Sequence, residues 1–76
     1  MTPQQCRAAR AMLEISQDRL AELSGIAVST IIPFEKGQRA PRRKTIEAVR
    51  EALEAAGVQF IEENGGGAGV RLARKS

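Results

Sequence analysis

The sequence predicts a mainly α fold, four short helices followed by a C-terminal β-hairpin. Three observations carry that expectation. Apolar residues make up 42% of the chain, yet only Phe34 and Phe60 are aromatic, so the core must be aliphatic, the composition of packed Ala, Leu and Ile helices. Four stretches before Gly57 repeat apolar residues at helical spacing between start and stop residues. After Gly57 the repeat drops to two residues, on either side of a glycine-rich loop.

Helix 1 starts at Thr2, which can cap, with Pro3 suited to the first turn and Gln5 completing a T-x-x-Q capping box. Cys6, Ala9, Met12 and Leu13 then supply its apolar face, to about Glu14. Ser16 caps helix 2, whose inward stripe is Leu20, Ala21 and Leu23, and Gly25 ends it with a left-handed turn. Helix 3 begins near Ala27 or Val28, turns Ile31 and Phe34 inward and stops at Gly37. A basic loop around Pro41 occupies residues 38–43. Helix 4 runs from about Arg43 to Ala56 on Ile46, Val49, Ala52, Leu53 and Ala56, with Gly57 as its stop.

In the remainder, Val58 and Phe60, then Val70 and Leu72, alternate with polar or small residues around the loop ENGGGAG. This reads as a hairpin of residues 58–62 and 69–73, with a disordered tail as the alternative. An isolated two-stranded hairpin is marginal in water, so it needs the helices or a second copy of itself as cover. Its open edges make a four-stranded intermolecular sheet a natural dimer device. The chain thus divides into residues 1–57, four helices, and residues 58–76, a hairpin and basic tail expected to dimerise.

Twelve basic and nine acidic residues give a net charge of +3, unevenly spread. Residues 36–44 (KGQRAPRRK) carry five positive charges and no acid, and the tail adds Arg71, Arg74 and Lys75. Such a run is either a solvated face or a phosphate-binding one. One cysteine forms no internal disulfide, and no signal pattern or membrane-length apolar run is present, so a cytoplasmic protein without membrane contact is expected. An enzyme is not expected. There is no His, no carboxylate cluster and no phosphate loop with a following helix, and Cys6 lies on a helix core face without a base. No metal-ligand spacing exists, and no cofactor is implied.

The segment Ser16–Gly37, SQDRLAELSGIAVSTIIPFEKG, resembles the helix-turn-helix of the Cro/phage-repressor (Xre) family. The matching positions are Ser16 and Gln17, Leu20 and Ala21, Gly25 and Ile26, Ile31, and Glu35 with Gly37; with its flanks the resemblance covers about residues 3–57. It implies a lambda-repressor-like four-helix domain that binds double-stranded DNA. Independently of family, two short helices joined by a tight glycine turn brace the second as a ridge that fits the major groove. By resemblance, Gln17 contacts backbone phosphate. Base reading falls on Ala27, Val28, Ser29, Ile32 and Pro33, with Thr30 beside them, and phosphate binding on Lys36, Arg39, Arg42 and Arg43. The resemblance also implies a structural ion pair between Arg10 and Glu35, partly buried.

Two features depart from the family pattern. Ala27 stands where Ser or Thr usually caps the reading helix. Pro33 either lies in the interior of a helix starting at Val28, or in the first turn of one starting near Ser29 or Thr30. The reading face is also apolar, without Arg, Asn or Gln for bidentate base contacts, so readout would rest on Ser29, Thr30 and thymine methyls. The function implied is a homodimeric transcriptional regulator, a repressor on a pseudo-palindromic operator. The alternatives are a DNA-binding antitoxin with a toxin partner, and a protein-interaction adaptor using the apolar ridge.

Overall fold

A computed structural model of the chain describes residues 1–73; Arg74 and Lys75 of the expected basic tail lie outside the described residues. Four helices, α1 (Pro3–Leu13), α2 (Gln17–Ser24), α3 (Val28–Glu35) and α4 (Arg43–Ala55), precede an antiparallel hairpin of β1 (Val58–Ile61) and β2 (Gly69–Leu72).

Local chemistry sets each boundary. Thr2 Oγ1 accepts from the Gln5 N–H at 3.0 Å while Gln5 Oε1 accepts from the Thr2 N–H at 2.8 Å, a complete capping box. α1 ends where Glu14 takes a left-handed conformation, φ 56°. Ser16 Oγ caps α2 by accepting from the Arg19 N–H at 3.0 Å. α3 starts at Val28, so Pro33 falls in the helix interior, and Ser29 and Thr30 are helical residues rather than caps. Its exit is a Schellman turn around Gly37, at φ 72°: the Gln38 N–H donates to Pro33 O and the Gly37 N–H to Phe34 O, each at 2.9 Å.

One core is built from every element except β2: Cys6, Ala9, Leu20, Ile31, Phe34, Val49, Leu53, Val58 and Phe60. Three residues expected in the inward stripes are elsewhere, one of them Ala56, the exposed C-cap of α4. Met12 and Leu23 are each 42% exposed. A step of three residues falls 60° short of a full helical turn, and Ala9–Leu13 and Leu20–Ser24, each four apart, keep closer to the buried faces.

The hairpin is held by the helices. Burial of Val58 and Phe60 contributes roughly 1.5–3 kcal/mol each, enough to stabilise a hairpin that alone is marginal. The Arg50 guanidinium lies 5.2 Å from the Phe60 ring centroid and bonds Glu54 and Glu62. At the far end Gln5, itself buried, donates through Nε2 to Ile61 O (3.2 Å) and Gly69 O (2.9 Å), tying α1 to both strands. Among the described residues, no helix is long and apolar enough to cross a membrane.

Candidate nucleic-acid interface

The geometry of α3 is set by the turn before it. Gly25 adopts φ 73°, a conformation that costs a residue with a Cβ about 1 kcal/mol or more. The Gly25 N–H closes α2 onto Ala21 O at 2.9 Å. Ser24 Oγ donates to Leu20 O at 2.7 Å and accepts from the Ile26 N–H at 3.2 Å, so the chain reversal is hydrogen-bonded from inside. Leu20, Ile31 and Phe34 then lock α2 and α3 at their crossing through the shared core.

A buried polar hub anchors the other end of α3. Glu35 is 2% exposed, and its carboxylate takes Arg10 Nε on Oε2 and Arg10 Nη2 on Oε1, both at 2.7 Å. Gln17 Nε2 donates to Oε1 at 3.0 Å and the Cys6 thiol to Oε2 at 3.2 Å. Arg10 also donates to Ile15 O at 3.2 Å, and Arg7 donates to the Glu35 backbone carbonyl. Burial pushes the Glu35 carboxyl up, but the hydrogen bonds from Arg10, Gln17 and Cys6 outweigh it and hold the group below the ordinary carboxylate range. The same bond from Glu35 raises the Arg10 guanidinium further. Burial, with the Glu35 bond second, pushes the Cys6 thiol up to about 12. Cys6 is therefore a neutral, inert core donor.

Outside this anchor α3 offers an exposed ridge beside a basic loop. Ala27 and Ser29 are exposed, and Val28, Thr30, Ile32 and Pro33 are half-buried. Lys36, Arg39, Arg42, Arg43 and Lys44 are all exposed. Arg43 pairs with Glu47 at 3.2 Å; among the described residues the other four have no acidic partner. Among the described residues neither α3 nor α4 has a side-chain cap, so the N–H groups of their first turns lack the side-chain partner that Thr2 and Ser16 give α1 and α2. The first turn of α4 holds Arg43 and Lys44 with no acid, against the positive end of the helix dipole. Cations placed where the dipole opposes them lower the stability of the free protein and raise its attraction for an anion.

A family model described as helix-turn-helix matches residues 7–57, more than half of the chain. The chain belongs to the helix-turn-helix family of the Cro/phage-repressor (Xre) type. No curated protein shows a significant sequence match to the chain. As a member of this helix-turn-helix family it is a DNA-binding regulator. Among the described residues no group of three His, Cys, Asp or Glu side chains is placed to hold a metal ion.

Against this helix-turn-helix frame, Gln17 stands at the first position of α2, with one amide N–H turned inward to Glu35. The amide carries a second N–H that has no partner among the described residues. Sequence reading missed two residues. Arg7 was not singled out, although its place three residues before Arg10 puts both on one face of α1. Gln5 was read only as half of a capping box, and its bonds to the hairpin span 56 and 64 residues of sequence.

Proposed function

We propose that the protein is a cytoplasmic transcriptional repressor that binds a pseudo-palindromic operator as a homodimer through its C-terminal hairpin. The α3 ridge of Ala27, Val28, Ser29, Thr30, Ile32 and Pro33 enters the major groove. Lys36, Arg39, Arg42 and Arg43 grip the phosphates that flank it, with Gln17 donating to a phosphate from the start of α2. The observation that carries this reading is the run of exposed, largely unpaired cations 36–44 following an exposed ridge that is braced from beneath.

The ridge reads chemistry of a limited kind. Ser29 and Thr30 supply hydroxyls, while Val28, Ile32 and Pro33 supply apolar surface suited to thymine methyls.

Selection of bound duplexes from random DNA tests the reading. The expected product is a two-fold symmetric site with half-sites about 34 Å apart, one helical turn. Replacement of its thymines by uracil is expected to weaken binding; an unchanged affinity excludes methyl readout. Enrichment of no sequence at all excludes an operator-specific regulator.

A further inference from the structure

α1 carries two arginines three residues apart, Arg7 and Arg10, and no acid within its own length, PQQCRAARAML. Two arginines on one face of a helix repel, and Glu35 of α3 neutralises only Arg10. Among the described residues the other helical arginines, Arg10, Arg19, Arg43 and Arg50, each pair with a carboxylate, and Arg7 pairs with none. Its charge stays free.

Arg7 is nevertheless held in place. Its Nη1 donates to the backbone carbonyl of Glu35, the last residue of α3, while the residue itself is exposed. That carbonyl belongs to the peptide unit joining Glu35 to Lys36, the first cation of the run 36–44. Gln17, at the start of α2, reaches the carboxylate of the same Glu35 at 3.0 Å. Arg7 therefore stands between the two places proposed above to hold phosphate, the start of α2 and the loop after α3.

Capping α3 is the simpler role, since a cation at the last carbonyls satisfies one of them and complements the dipole. That role uses a single N–H. A guanidinium carries five in a rigid planar fork, and Arg7 makes no other bond among the described residues. The fork is fixed at one prong and unoccupied on the rest, which suits a phosphate, where arginine can take two oxygens at once. A side chain held before the duplex arrives also loses less entropy on binding.

We propose that Arg7 is a further phosphate-binding residue, which carries the cation run of residues 36–44 onto α1 and grips the DNA backbone beside Lys36. This rests on the phosphate-binding reading of that run given above, and enlarges its footprint by one residue of each protomer.

Binding of the full chain to a DNA duplex across a salt series tests this contact. Arg7→Gln is expected to lower the slope of log K against log salt concentration by about 0.9 for each bound protomer, with affinity falling alongside. Arg7→Lys keeps the charge and is expected to restore the slope. A wild-type slope in Arg7→Gln, whatever its effect on Tm, overturns the proposal and leaves Arg7 a cap of α3. Equal losses of slope in Arg7→Gln and Arg7→Lys also overturn it, since the charge is then not what the duplex meets. Where Arg7→Gln does not fold, the wild-type chain decides. Its Arg7 Nε–H proton resonance is expected to shift when duplex is added, and an unmoved resonance overturns the contact. A wild-type chain whose duplex binding is absent or independent of salt overturns the phosphate-binding reading of residues 36–44 itself.

Discussion

The Arg10 guanidinium and the Glu35 carboxylate meet as a two-pronged pair, Nε on Oε2 and Nη2 on Oε1, each at 2.7 Å, joining the first helix to the last residue of α3. With Gln17 and Cys6 on the same carboxylate, and Arg7 on the Glu35 backbone carbonyl, the pair holds α1, α2 and α3 in one arrangement. Removing one member leaves the other charged and largely desolvated, at a cost of about 3–5 kcal/mol. For a domain whose total stability is of order 5–15 kcal/mol, that is a large fraction. Glu35→Ala is therefore expected to lower the urea midpoint sharply, and Arg10→Met/Glu35→Leu together to recover much of the loss. A double variant no more stable than the single one would show that the pair is not the cause.

The same acid governs stability at low pH. Its pKa is lowered on folding, so its contribution is complete above the ordinary carboxylate range and is lost as pH falls through the lowered value. Glu35→Gln is expected to be less stable at pH 7 but to lose less on acidification. Parallel decline of the two proteins below about pH 4 would contradict this assignment.

Cys6 acts at the alkaline end. Its pKa rises from 9.0 to about 12, so the associated stability is present below pH 9.0 and lost as pH climbs towards 12. Alkylation of the thiol at pH 8 is expected to proceed only at the rate of unfolding. Labelling of the folded protein within minutes would show that the site opens locally.

Pro33 removes the amide that would bond the Ser29 carbonyl inside α3. Pro33→Ala restores the bond, at some loss of ring packing, and is expected to stabilise the domain by about 1–2 kcal/mol. On a chain of this size that is a rise of about 4–16 °C in Tm. An unchanged or lower Tm would mean that packing of the ring outweighs the missing bond.

Much of this fold was legible because single residues dictate local geometry. Thr2, Ser16, Gly25 and Gly37 each satisfy or close a helix end by chemistry within a few residues, so the sequence alone places them. Pro33 was ambiguous because both starting points of α3 satisfy local rules, and only packing of Ile31 and Phe34 selects one. Met12 and Leu23 were misplaced because helices of 11 and 8 residues are too short for their spacing to separate a core face from its flank. The reach of Gln5 to the hairpin and of Arg7 to Glu35 depends on tertiary placement, which no local pattern encodes.

The salt dependence of duplex binding measures directly whether the cations after α3 hold DNA phosphates, as proposed. Each neutralised phosphate adds about 0.9 to the slope of log K against log salt concentration. With Lys36, Arg39, Arg42 and Arg43 changed to Gln, and the fold verified by circular dichroism, the slope is expected to fall by about 3–4 for each bound protomer, about 7 for the dimer, and affinity to fall with it. A slope and affinity equal to those of the wild-type protein would show that these four side chains do not hold the duplex.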